Sequence, residues 1–142
     1  MDLFVRAINL SLFIERNNQV KEGQTILLVD YNESVIETVR KMADTSGLRL
    51  ILAEDGQEGL DLAKAELPDL IIIRKDVPML DALSVSVLLK QSHETENIPV
   101  VLISEITSSS ERERLHDAGC SGFIEEPFTA DDLRRRLENW LS

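Results

Sequence analysis

The chain has 142 residues, of which 26 are acidic and 15 basic, giving a formal net charge of −11. That balance argues against a nucleic-acid surface or adsorption on anionic lipid, both of which need a positive patch. No apolar run approaches the roughly 18 residues of a membrane span, while an apolar fraction of 43% is enough for the core of one domain.

Residues 1–23 stand apart from the rest of the chain. Leu3, Ala7, Leu10 and Ile14 fall at helical spacing, and Phe4, Ile8, Leu12 and Phe13 widen the stripe before a polar stretch over 15–23. The pattern predicts an amphipathic N-terminal helix and linker ahead of a domain spanning 24–142. Its wide apolar face suits packing on its own domain or pairing with a second copy in a homodimer. Asp2 and Arg6 break the pattern of a secretory signal, and no small-residue cleavage site comes after them.

From Thr25 a regular alternation begins. Residues 25–29 read as a buried strand ending at Asp30, and Val35, Ile36, Val39, Met42 and Ala43 mark a helix face stopped at Gly47. Residues 49–53 form a second strand. Gly56 opens a helix with Leu60, Ala63 and Leu67 inward, ended by Pro68. Leu70, Ile71, Ile72 and Ile73 make a third strand buried on both faces, and the first residue past that apolar run is Arg74. Leu83, Val87 and Leu88 suggest a helix that gives out in the polar run 91–97.

Residues 100–103 form the fourth strand. Ser108 and Glu111 have capping-box spacing, so a helix is expected up to Ala118, stopped by Gly119. Residues 122–124 are a short fifth strand. Thr129 and Asp132, again in capping-box register, open a last helix with Leu133, Leu137, Trp140 and Leu141 inward. Cys120, the single cysteine, has no basic neighbour in sequence and reads as a structural residue in a reducing, cytoplasmic compartment. With only His93 and His116 beside it, no familiar zinc site can be assembled.

Strands alternating with helices through short loops argue for a doubly wound α/β fold with a parallel sheet. Right-handed crossovers then place every strand's C-terminal end on one edge, where Asp30, Arg74, Ser104, Glu125 and Glu126 converge.

Residues 25–141 resemble the receiver domain of two-component response regulators. The resemblance rests on Ile26-Leu27-Leu28-Val29-Asp30, Pro68-Asp69-Leu70-Ile71, Pro78-Met79-Leu80-Asp81, Ile98-Pro99-Val100, Ala118-Gly119-Cys120-Ser121-Gly122-Phe123 and Pro127-Phe128-Thr129, in that order. It implies the flavodoxin-like fold of single-domain chemotaxis regulators: a three-layer (βα)5 sheet with strand order 2-1-3-4-5, here carrying an extra N-terminal helix. In such domains two acidic residues after the first strand help to hold magnesium; here Asp30 keeps the first place and Tyr31 fills the second. The place of the aspartate that accepts phosphate at the end of the third strand is taken by Arg74. Asp76 falls where a backbone carbonyl binds the metal. The hydroxyl that grips the phosphoryl group is retained as Ser104, and the aromatic that responds to its movement as Phe123. The lysine before the fifth-strand proline is replaced by Glu126.

On chemical grounds this set is a degenerate phosphorylation pocket. Arg74 can be neither nucleophile nor metal ligand, Tyr31 is a poor ligand for a hard cation, and Glu126 repels a phosphoryl group. No magnesium, other cofactor or enzymatic activity is therefore expected. Arg74 and Glu126 reverse the resembled charges together, which suggests a fixed cluster of Arg74 with Glu126 and Asp30, with Ser104 within reach. Asp76 is the one carboxylate that could attract a cation together with Asp30 and Glu126. Asp69 belongs at the opposite edge of the sheet, and Asp81 at a helix entry.

The leading expectation is a receiver that signals without phosphorylation, by binding a histidine kinase or a separate effector. The resemblance places that contact on the face of the fourth helix, fifth strand and fifth helix, where the charge runs 111–114 and 134–136 read as solvated surface. Two alternatives are phosphorelay through a displaced carboxylate such as Asp76, and a sensor of a small anion held by Arg74 and Ser104.

Overall fold

The computed structural model describes residues 23–105 and 108–141. The expected N-terminal helix, and the boundary drawn at residue 23, lie outside the described residues or at their margin. Five strands, β1 (Thr25–Val29), β2 (Arg49–Ala53), β3 (Leu70–Arg74), β4 (Val100–Ser104) and β5 (Gly122–Glu125), alternate with helices α1 (Glu33–Ser46), α2 (Gly56–Glu66), α3 (Ala82–Leu89), α4 (Ser109–Asp117) and α5 (Ala130–Leu141). All pairings are parallel, in the order β2-β1-β3-β4-β5. The doubly wound sheet and its strand order are those expected.

The sheet is covered on both faces, so its central strands carry unbroken apolar runs instead of an alternation. Leu70, Ile71, Ile72 and Ile73 are fully buried, but to opposite sides. Leu70 and Ile72 join Val39, Met42, Leu133 and Leu137 under α1 and α5. Ile71 and Ile73 join Leu60, Ala63, Val85 and Leu115 under α2, α3 and α4. The caps are local. Asn32, Asp55 and Asp81 accept from the backbone N–H of Val35, Glu58 and Ser84, while Gly47 ends α1 in the left-handed region. At α5 the capping box closes in both directions, Asp132 N–H donating to Thr129 Oγ1 and Thr129 N–H to Asp132 Oδ2, each 3.1 Å. These bonds, led by those to Thr129, hold the Asp132 carboxyl below its ordinary range.

Three local expectations need correction. Leu67 does not face inward: it comes just after the end of α2 at φ 47 and is exposed. In α3 the buried residues are Ala82, Val85, Ser86 and Leu89, which leaves Val87 and Leu88 exposed. The helix is apolar nearly all round, so periodicity could not choose its face, and the smaller Ala82 and Ser86 let it approach the sheet. Cys120, read as a structural residue, is buried with Sγ 3.4 Å from Ser86 Oγ, but the fold does supply a basic neighbour, Lys90. Burial pushes its thiol up, and Ser86 and Lys90 only partly offset that.

Two glycines are set by close approach. A Cβ on Gly56 would stand 1.7 Å from the Leu80 carbonyl oxygen, and one on Gly59 would stand 2.7 Å from Val29 Cγ2. The Gly56 contact packs the start of α2 against the β3–α3 loop. In an open helix Gly→Ala stabilises by about 1 kcal/mol. Here Gly56→Ala is expected to destabilise by about 1–3 kcal/mol, as overpacking does. Urea denaturation checks the sign; a stabilised variant would contradict this packing.

Candidate functional site

The parallel register sets the site. Val29 pairs with Ile73, so Asp30, one residue on, lies beside Arg74 at the C-terminal edge. Arg74 in turn pairs with Ile103, and Ser104 with Glu125. Glu126 therefore comes directly after β5, two strands away from Arg74, or about 10 Å at ordinary strand spacing. Two long side chains are needed to close that gap, and they close it. Arg74 Nη1 donates to Glu126 Oε1 at 2.6 Å and Nη2 to Oε2 at 3.2 Å, the bidentate fork geometry. On the other side Arg74 Nε donates to Asp30 Oδ1 at 2.8 Å.

The cluster is largely withdrawn from water. Side-chain exposure is 11% for Arg74, 0% for Asp30 and 25% for Glu126. Asp30 Oδ1 also accepts from the backbone N–H of Tyr31 at 2.7 Å and of Asn32 at 2.9 Å, which fixes the carboxylate on the turn leaving β1. Among the described residues its Oδ2 is the one buried side-chain polar atom without a hydrogen-bond partner. The hydrogen bonds it donates to Glu126, then those to Asp30, hold the Arg74 guanidinium above its ordinary value against the opposing effect of burial.

Of the other residues singled out, the structure brings some to the rim and leaves others out. Tyr31 is half exposed and covers the mouth, with the Arg74 guanidinium carbon 5.7 Å from its ring centroid. Its hydroxyl donates a long bond, 3.4 Å, to Asp76 Oδ1. Asp76 therefore pairs with Tyr31 on the surface and does not converge with Asp30 and Glu126. Ser104 is buried, but its hydroxyl donates to the Glu105 carbonyl at 2.8 Å and not to the cluster, so the expected contact with Arg74 is absent. Phe123 lies on β5, half-buried, with its carbonyl accepting from Arg136 Nη2 at 2.6 Å. Asp69 sits at the opposite edge, accepting from Thr25 N–H at 2.7 Å, and Asp81 caps α3.

Sequence reasoning missed a second set of charges around this edge. Lys75 pairs with Glu111, and Arg112 pairs with Glu125 while also lying 6.0 Å from the Phe123 ring centroid. In sequence, residues 111 and 112 read as solvated helix surface. The only signal for their pairing is that Lys75 and Glu125 flank Arg74 and Glu126, which a one-dimensional pattern does not reveal.

The donor set fits a divalent cation poorly. Magnesium requires near-octahedral oxygen ligation, yet the guanidinium already engages Asp30 Oδ1 and both Glu126 oxygens. Among the described residues no three His, Cys, Asp or Glu side chains gather as a ligand group. No described helix is long and apolar enough to cross a membrane.

The response regulator receiver domain model matches residues 26–138. The polar-differentiation response regulator DivK of Brucella anthropi is 28% identical over 118 residues, covering 83% of this chain and 96% of the relative. The fold is similar to the receiver domain of sensor histidine kinase PA1611 from Pseudomonas aeruginosa, solved with magnesium in its active-site cleft. That match has TM-score 0.75 at 26% identity and covers 84% of this chain and 98% of that one. It is also similar to the chemotaxis response regulator CheY4 of Vibrio cholerae, with TM-score 0.79 at 22% identity over 84% and 99% of the two chains, a likeness of fold.

The cluster should behave as a unit. Arg74→Asp crowds three carboxylates, and Glu126→Lys sets two cations together. Each is expected to cost about 3–5 kcal/mol, the penalty for an uncompensated buried charge. The double variant R74D/E126K restores opposite signs, so its loss should fall at least about 2 kcal/mol short of the sum. Chemical denaturation of the four proteins measures the cycle; additive losses would mean that the pair does not interact.

Proposed function

We propose a function from one established premise: this chain belongs to the response regulator receiver domain family. It is a receiver domain of two-component signalling, and we infer that it signals by binding, without accepting a phosphoryl group. The observation that carries this reading is the Arg74 guanidinium at the end of β3, locked between Asp30 and Glu126. Transfer to an acyl phosphate needs a carboxylate nucleophile, a divalent cation and a cationic group to balance the phosphoryl oxygens. Here the nucleophile's place carries a cation, Asp30 Oδ1 and both Glu126 oxygens are engaged by it, and Glu126 supplies charge of the wrong sign. On this reading the domain is a pseudo-receiver with no enzymatic activity and no magnesium requirement.

The two rival uses of the pocket draw less support from the geometry. Phosphorelay through Asp76 would place the acceptor on the surface against Tyr31, where among the described residues no group of three ligand side chains gathers to hold a cation. An anion sensor would draw on the guanidinium charge, yet three of its five N–H donors already serve Asp30 and Glu126. Output then rests on a protein partner, a histidine kinase or a separate effector, in the cytoplasm. The face of α4, β5 and α5 suits that contact, with Arg112, Phe123, Arg136 and Trp140 arranged as alternating cations and rings. Aromatic and arginine side chains are those that most often anchor interfaces.

The test is a pair of amide NMR spectra recorded with and without magnesium and beryllofluoride, a phosphoryl mimic. The expected result is no change at Arg74, Ser104 or Phe123. In parallel, incubation with a small phosphodonor should add no phosphoryl mass. Shifts spreading from β3 to Ser104 and Phe123 would overturn the reading.

A further inference from the structure

We propose that residues 3–14 dock with their apolar stripe on the outer face of α3, near the edge of the sheet opposite the Arg74 cluster. This surface is separate from the Arg74 site, and what covers it does not depend on whether the pocket accepts a phosphoryl group.

α3 is the exception among the described helices. The others expose charges on their outer sides, such as Arg40 on α1, Asp61 on α2, Glu113 on α4 and Arg135 on α5. From Ala82 to Leu89, α3 carries no charged residue at all. It buries Ala82, Val85, Ser86 and Leu89, and leaves Val87 and Leu88 at 41% and 36% exposure. A helix that is apolar all round is ordinarily covered on every side. Leu67 lies at the same level, because α2 and α3 pack together in one layer and both run back to the edge where the strands begin. It is 47% exposed, in the left-handed position after a helix that Gly or Asn usually takes.

The chain itself supplies the occupant. Residues 1–22 lie outside the described residues, and their sequence repeats Leu3, Ala7, Leu10 and Ile14 at helical spacing. The point where they join the domain is fixed. Gly23 N–H donates to the Gly47 carbonyl at 3.0 Å, Thr25 N–H to Asp69 Oδ2 at 2.7 Å, and Asp69 N–H back to the Thr25 carbonyl at 2.9 Å. Asp69 is two residues from Leu67, so the chain leaves at the edge where α2 and α3 end. The stretch 15–22 can span up to about 26 Å when extended. A helix over 3–14 would be about 18 Å long, against about 12 Å for α3, so the stripe can reach and cover it. A tethered segment also acts at a roughly millimolar effective concentration. Two whole chains, each of net charge −11, repel one another instead.

A nitroxide attached to the full chain through Asn9→Cys tests this, since Asn9 falls off the stripe and Cys120 is buried. Paramagnetic broadening is expected to erase the amide signals of Leu67, Val87 and Leu88, while those of Arg40 on α1 and Arg135 on α5 persist. Adding Leu10→Asp or Leu88→Asp to the labelled chain should restore the erased signals. Leu88→Asp is a surface change, and Leu10→Asp lies outside the domain core, so the second keeps the test intact if the first disturbs folding. A labelled chain mixed with an unlabelled, isotope-enriched one separates the two sources of an apolar segment. Broadening of Leu67, Val87 and Leu88 in that mixture would assign the face to a second copy and overturn docking within one chain. Broadening confined to other faces, or none at all, would overturn it as well.

Discussion

The structure at the functional edge depends on one guanidinium. Parallel strands bring their C-terminal ends together, and this chain places Asp30 after β1 and Glu126 after β5 at the same edge. Two carboxylates drawn out of water repel and lose hydration together. Arg74 resolves both problems, since its fork is long enough to pass the end of β4 and supplies donors on two sides. A lysine would offer a point charge without the planar geometry that meets Glu126 with two bonds and Asp30 with a third. Tyr31 adds an aromatic cover to the same cation.

That arrangement is only as rigid as the sheet beneath it. Ile72 and Ile73 point to opposite cores, and each is fully buried, so β3 cannot slip by one residue without exchanging the two apolar layers. The register therefore fixes where Arg74 ends. The caps on α1, α2 and α3 and the capping box of α5 set the loops around it, each by a local side-chain oxygen. α4 is capped locally too, by Ser108, but of its residues Leu115 alone is buried.

The same contrast explains what could be read in the sequence. Runs such as Leu70 to Ile73 declare a strand buried on both faces, and the caps announce themselves by residue type, so the fold was legible. The meeting of Arg74, Glu126 and Asp30 was legible too, because all three lie just past or at strand ends and two of them invert their expected charges. The face of α3 was not, since in Ala-Leu-Ser-Val-Ser-Val-Leu-Leu nearly every position is apolar and only packing distinguishes Ala82 from Val87. Nor was the turn of Ser104 toward the Glu105 carbonyl, which is a rotamer choice at a chain reversal. The pairs Lys75–Glu111 and Arg112–Glu125 escaped because long charged side chains carry no period, and their partners are chosen in three dimensions.

The sign of the central charge has a consequence for how such a domain could be controlled. A carboxylate pocket changes state through chemistry, by binding a cation or accepting a phosphoryl group, and each event alters its net charge. A guanidinium held still further above its ordinary value stays protonated at any pH at which the domain is folded. On the proposed reading its fork with Glu126 is opened by a partner that pulls on β5 or on α4, or by a competing carboxylate that enters the cleft. Asp30 limits the second route, because a third carboxylate would have to approach the buried charge it already contributes. The favoured handle is therefore the protein surface around α4 and β5, where Arg112 and Glu125 join that helix to the residue beside the fork. On the proposed reading, control by binding is a product of the same charge reversal that fills the pocket with a guanidinium.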